Sequence, residues 1–119
     1  RRLMLVRRWA VVEANLDPTA GAEQRGRRPV LIVSNDEFNE SMPNMTVLPL
    51  TSTERRLYPS EVFIPAGTAG QPRDSIIMAH QVRTISRQRL GGLVGHFEDP
   101  ELRRQVCDAI TEHFGLNEE

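Results

Sequence analysis

Short apolar runs alternate with polar breaks marked by glycine or proline along most of the 119-residue chain. Trp9–Leu16 (WAVVEANL) reads as a first strand, closed by the turn signal Asp17-Pro18. Residues 19–28 are polar, contain Gly21 and Gly26, and read as a long loop. Pro29-Val30-Leu31-Ile32-Val33 is apolar without interruption, which marks a central strand covered on both faces. Residues 35–45 then read as a long connection. TVLPLT (46–51) is a further strand; Pro49 can donate no ladder bond, which implies an edge or a bulge. SEVFIP (60–65) and DSIIMA (74–79) add two more, and QVRTIS (81–86) and GLVGHF (92–97) are shorter candidates. From Asp99 the apolar spacing changes to that of a helix. Asp99 can serve as N-cap, Pro100 suits the first helical position, and Leu102, Val106, Ala109, Ile110 and Phe114 fall on one stripe before Gly115. The pattern predicts a mainly β fold, a small and strongly bent antiparallel sheet or open barrel capped by a C-terminal helix. Length predicts one domain over 1–119, with residues 1–97 as the β core and 98–116 as the helix.

Composition changes this picture in one respect. The formal net charge is −1, but seven acids lie from Glu98 onward against only Arg103 and Arg104, leaving thirteen basic and nine acidic residues in 1–97. All fifteen cations are arginine, a residue whose planar fork grips phosphate in two places; a compositional bias toward arginine codons explains surface positions such as Arg103 equally well. The single cysteine, Cys107, permits no internal disulfide and fits a small core position in the helix. The N-terminal RRLMLVRRW has a four-residue apolar run, too short for a signal peptide or a membrane span. The expectation is a cytoplasmic protein that needs no membrane. His96 and His113 lack partners at metal-ligand spacing, so neither a metal site nor a cofactor is expected.

Candidate chemistry sits where charge meets core. Arg25, Arg27 and Arg28 crowd against the apolar run that begins at Pro29. If the strands at 29–34 and 46–51 form an antiparallel pair with Ser34 opposite Met45, then Arg28 falls opposite Thr51. A guanidinium and a hydroxyl would then share one edge of the sheet beside the 19–28 loop. Pro29 forces Arg28 into extended backbone, so Arg27 and Arg28 point to opposite sides. On composition alone, the three arginines also read as a solvated loop face and Thr51 as a strand-ending hydroxyl.

The stretch NLDPTAGAEQRGRRPVLIVSND (15–36) resembles the MazF/PemK (Kid) family of toxins from toxin-antitoxin systems. PLTST (49–53), YPSEVFI (58–64), DSIIMAHQVRTISRQRLG (74–91) and a C-terminal helix ending in HFGL follow in the family's order, so the likeness covers roughly residues 8–116. The resemblance implies an SH3-like barrel, a homodimer, and an endoribonuclease that cuts single-stranded mRNA at a short sequence without metal. It also implies neutralisation by a MazE-like antitoxin with an extended acidic C-terminal segment. The family's catalytic arginine and hydroxyl fall on Arg28 and Thr51, the pair that strand arithmetic had already juxtaposed.

Metal-free cleavage of this kind uses the ribose 2′-hydroxyl as nucleophile and leaves a 2′,3′-cyclic phosphate and a 5′-hydroxyl, so DNA should resist. Arg28 suits phosphate stabilisation and Thr51 a hydrogen bond to the same group. A guanidinium stays protonated, so another group must accept the 2′ proton. Glu23, matching the family's glutamate in EQ, and His80, standing where relatives carry Asp or Glu, are the candidates. Arg25, Arg27, Ser34, Asn35, Gln81 and Arg83 are candidate RNA contacts. Relatives usually read RGDIW or RGEIY where this chain has RWAVV, so Trp9 replaces a glycine; it suits a packing role or a base stack. Two rival readings share the barrel: a non-catalytic, CcdB-like toxin that binds a topoisomerase, and an RNA-binding barrel without turnover.

Overall fold

A computed structural model describes residues 6–117, so most of the apolar run at the N-terminus (3–6) lies outside the described residues. The strands are β1 (Ala10–Asn15), β2 (Arg27–Ile32), β3 (Asn44–Thr51), β4 (Glu61–Ile64), β5 (Ser75–Met78), β6 (Arg83–Ser86) and β7 (Leu90–His96). The helices are α1 (Asp36–Ser41) and α2 (Pro100–Phe114). The strands form one bent antiparallel sheet in the order β4-β5-β3-β2-β1-β7, with β6 also paired to β3. The sheet bends strongly but does not close into a barrel.

The uninterrupted apolar character of β2 is explained by two cores. Val11, Leu31, Leu48 and Leu50 face one cluster with Val62, Ile64, Ile77, Phe97, Val106 and Ala109. Their neighbours along the same strands, Val12, Val30, Ile32 and Val47, face a second cluster with Leu16, Met45 and Ile85. Alternate side chains point to opposite faces, so β1, β2 and β3 must be apolar on both. α2 covers the first core with Leu102, Val106, Ala109 and Ile110 of the predicted stripe, while Phe114 is exposed. Asp99 Oδ1 accepts from the Glu101 and Leu102 N–H groups at 2.8 and 3.2 Å, and Gly115, at φ 67°, ends the helix.

β3 is not the edge strand that Pro49 implied. It is central, pairing with β2, β5 and β6. The N–H of Val33 donates to the Thr46 carbonyl, so even-numbered residues of β3 aim at β2 and odd ones at the opposite side. On that side β6 reaches only to Val47 and β5 starts at Leu50. Pro49 falls in the gap, where its missing N–H breaks no ladder. The connection at 35–45 also differs from expectation. It contains α1, capped by Asn35, whose Oδ1 accepts from the Phe38 N–H at 2.8 Å, with Asp36 and Glu37 in the first turn.

Trp9 adopts φ 76°, backbone that favours glycine. Its ring stacks on Phe97 with centroids 5.9 Å apart, while the guanidinium groups of Arg8 and Arg103 lie 4.8 and 5.1 Å from its centroid. This is a packing role, and it ties the start of β1 to the residue that follows β7.

β7 approaches the turn at 68–70 closely. A Cβ on Gly95 would stand 2.5 Å from the backbone carbonyl carbon and oxygen of Ala69, whereas one on Gly92 meets nothing within 4 Å. Gly95→Ala should therefore destabilise the protein by about 2 kcal/mol or more, and Gly92→Ala by much less. Urea denaturation of the two variants checks the contrast.

Candidate active site

β2 and β3 pair with Val30 opposite Pro49, Leu31 opposite Leu48 and Ile32 opposite Val47, the register in which Arg28 corresponds to Thr51. Beyond Val30 and Pro49 the strands part. Arg28 stays on β1, opposite Ala14, and Thr51 joins β5, opposite Ile76. A cavity of about 390 Å³ at this divergence is lined by both residues, together with Glu13, Ser52, Gln71, Arg73 and others. Arg28 is half-buried, and its Nε–H donates to the Arg25 carbonyl at 3.0 Å. That bond fixes the guanidinium against the loop. Thr51 is buried at the strand end; its Oγ1 donates to Thr53 Oγ1 and accepts from the Thr53 N–H. Arg73, Gln71 and Glu13 were not legible as site residues. Arg73 and Gln71 arrive on a proline-containing loop with no periodicity, and Glu13 reads as the polar residue of an ordinary strand.

The remaining candidates divide between neighbouring places. Glu23, Gln81, Arg83 and His80 line a second cavity, of about 470 Å³, with Pro49 in its wall. Pro49 in this wall is followed directly on β3 by Leu50 and Thr51 of the other cavity, so the two cavities border one stretch of the same strand. Gln81 Oε1 accepts from the Gln24 N–H at 3.3 Å and Arg83 donates to the Leu16 carbonyl at 3.2 Å; both bonds tie the long loop to the sheet. Glu23 is exposed, and its Oε1 accepts from the Ala20 N–H at 2.9 Å. Arg25 and Arg27 are exposed on the loop and at the start of β2. Ser34 lines a third cavity, with Arg8, His80, Arg83 and His113, but its hydroxyl accepts from the Thr46 N–H and donates to Asn39 Oδ1. With Asn35 capping α1, these two polar residues hold the β2–β3 connection and stand apart from the Arg28–Thr51 cavity.

The strongest electrostatic feature was invisible to strand periodicity, which turns Val62 and Ile64 inward and Glu61 outward. Glu61 is fully buried at its carboxylate because the 52–60 loop folds over it. Arg55 grips it with two hydrogen bonds of 2.8 Å, the Tyr58 N–H adds a third at 2.8 Å, and His80 Nε2 lies 2.7 Å away. Burial pushes the carboxyl pKa up, but donation from Arg55, the Tyr58 N–H and His80 outweighs it and holds the group down to about 2. Arg55 is raised in turn by the same bond. No three His, Cys, Asp or Glu side chains among the described residues converge as metal ligands would, and no helix among them is long and apolar enough to cross a membrane.

A bent antiparallel sheet with a C-terminal helix, and an arginine and a hydroxyl meeting where two strands part, define a recognisable class of small protein. Residues 7–114 match the family of PemK-like, MazF-like toxins of type II toxin-antitoxin systems, and the chain belongs to it. It is 39% identical to the endoribonuclease EndoA of Bacillus subtilis, over 90% of this chain and 92% of that protein. It superposes on the crystal structure of MazF from Deinococcus radiodurans with a TM-score of 0.81 at 26% identity, covering 94% of this chain and 98% of that one. A mycobacterial endoribonuclease solved in complex with its cognate antitoxin gives 0.77 at 25% identity, covering 93% and 96%.

Because Glu61 titrates well below an ordinary carboxyl, it stabilises the fold above about pH 4.5 and loses that contribution as pH falls toward 2. Glu61→Gln should be less stable than the parent by a few kcal/mol at pH 6, with the gap shrinking below pH 4. Chemical denaturation across that range measures the convergence; a gap independent of pH would contradict it.

Proposed function

We propose that the chain is a toxin endoribonuclease, an mRNA interferase that cuts single-stranded RNA without a metal. The observation that carries this reading is the shared cavity of Arg28 and Thr51, supported by membership of the toxin family and by 39% identity to a protein named as an endoribonuclease. The ribose 2′ oxygen attacks phosphorus, the bond to the 5′ oxygen breaks, and the products are a 2′,3′-cyclic phosphate and a 5′-hydroxyl. Arg28 places fixed positive charge on the phosphoryl oxygens as they gain charge, and as general acid it gives a proton to the departing 5′ oxygen and regains one from solvent. Thr51 adds one neutral donor once its hydroxyl turns from Thr53 Oγ1 to the phosphate. The 2′ proton goes to a group on the adjoining wall, where Glu23 and His80 stand. Arg25, Arg27, Gln81 and Arg83 flank the path of the strand and supply backbone contacts, each worth less than the central arginine.

The same reading makes the whole chain one catalytic domain that acts as a homodimer in the cytoplasm. A MazE-like antitoxin would neutralise it by laying an acidic segment over the basic loop at 25–28; a structural neighbour that is an endoribonuclease in complex with its cognate antitoxin supports an antitoxin as partner.

Labelled single-stranded RNA should be cleaved in EDTA, leaving cyclic phosphate, while DNA of the same sequence survives. Arg28→Ala should slow cleavage about 10²–10³-fold, and Thr51→Ala by at least about tenfold. Both variants should keep a cooperative melt, because neither residue belongs to the two apolar clusters. Full activity in Arg28→Ala, or binding without turnover in the parent, would defeat the reading.

A further inference from the structure

The reaction needs a proton acceptor, and the two candidates are held very differently. Glu23 is exposed and engaged only with the neighbouring Ala20 N–H. His80 is gripped from behind. It sits in the turn at 79–81 that follows β5, and Glu61, at the start of β4, is paired with Met78 two residues before it. The Ala79 N–H donates to the Ser60 carbonyl at 3.0 Å, which anchors that turn to the start of β4. The imidazole therefore meets the buried carboxylate through Nε2 alone.

The bonding at Glu61 is divided unequally between its oxygens. Oε1 accepts from the Tyr58 N–H and from Arg55 Nη1, and Oε2 accepts from Arg55 Nη2 and faces His80 Nε2. Every neighbour of this carboxylate is thus a donor or, in the case of His80, must become one. A carboxylate with no proton of its own can only receive, so the neutral ring carries its hydrogen on Nε2. Nδ1 is left with a free lone pair and makes no hydrogen bond to any of the described residues. Side-chain exposure of 28% puts the ring within reach of substrate, on the walls shared with Glu23, Gln81 and Arg83 on one side and Arg8, Ser34 and His113 on the other. Glu61 itself cannot serve as the base, because it is wholly buried and fully engaged.

We infer that Glu61 is a positioning residue: its carboxylate, locked by Arg55, holds His80 as the Nε2–H tautomer and presents Nδ1 as the acceptor for the ribose 2′-hydroxyl proton. The inference rests on the ribonuclease reading. In the step itself the 2′ O–H bond breaks as the new oxygen–phosphorus bond forms, and the proton passes to Nδ1. The resulting imidazolium lies against the Glu61 carboxylate, with Arg55 and Arg83 as the nearby opposing cations.

Glu61→Gln separates this role from simple packing. The amide keeps the shape and leaves its oxygen to the Tyr58 N–H and Arg55 Nη1, but it turns an NH₂ toward His80 and toward Arg55 Nη2, which loses its acceptor. Nε2 must then accept, and the proton is driven to Nδ1, the wrong tautomer for catalysis, as happens when an amide replaces the carboxylate of a catalytic triad. On labelled mixed-sequence single-stranded RNA, kcat should fall about 100-fold or more with KM changed less than about threefold. The double variant Glu61→Gln/His80→Gln should be no slower than His80→Gln alone. Nitrogen-15 NMR of the RNA-free parent at pH 8 should show His80 protonated at Nε2, with the pattern exchanged in Glu61→Gln. A parent ring protonated at Nδ1 overturns the inference whether or not the variant folds, and so does a wild-type kcat in folded Glu61→Gln while His80→Gln is inactive. Full activity in His80→Gln removes His80 from the chemistry, while inactivity of Arg28→Ala would still leave the nuclease itself standing.

Discussion

β3 bonds to β6, then to β5, along one edge while holding β2 on the other, and Pro49 stands at the change of partner. An ordinary residue there would leave an N–H pointing into the gap with no acceptor. Proline leaves none, so the strand can turn from one ladder to the next without an orphaned donor. The cavity lined by Pro49, His80, Gln81 and Arg83 borders this gap, and just beyond it Arg28 and Thr51 line the cavity where β2 and β3 part. Its position comes from backbone pairing, and both side chains leave strands whose other residues are locked in the two cores. That is a rigid setting for a guanidinium expected to meet a phosphate in one orientation.

The Arg55–Glu61–His80 chain is a second fixed point, made of different physics. Removing a carboxylate from water is expensive, and the expense is recovered only when each lone pair is occupied. Here four donors converge on two oxygens, and the loop that supplies three of those four also seals them from solvent. The arrangement gives the 52–60 loop, which contains no regular structure, a reason to hold one shape. It also links β4, β5 and the turn at 79–81 through groups that lie at the margin of the apolar core.

Much of this was legible in the sequence. The apolar run at 30–33, the Asp99-Pro100 cap and the stripe through Val106 and Ala109 are local signals that the structure keeps. The β2–β3 register was an assumption, Ser34 opposite Met45, that the structure's pairing matches; a constant pairing sum then set Arg28 against Thr51. Other features required three dimensions. Pro49 reads as an edge residue because nothing local says that the strand changes partners. α1 is a six-residue helix whose only clue is Asn35 followed by two acids. Glu61 sits at an outward position of a regular strand, and its burial depends on the nine-residue loop at 52–60 folding back. Arg73 and Gln71 reach the cavity from a segment 20 residues beyond Thr51, a proximity that only the bend of the sheet creates.

Trp9 holds a backbone shape that glycine would adopt by freedom, and holds it through an aromatic face pressed between Phe97 and two arginines. Order at the start of β1 is thus conferred by groups distant in sequence, since Phe97 precedes the cap of α2 and Arg103 belongs to α2 itself. The strand is closed on its neighbour β7 by this aromatic corner as well as by the backbone ladder, so loosening α2 would loosen the entry to the sheet.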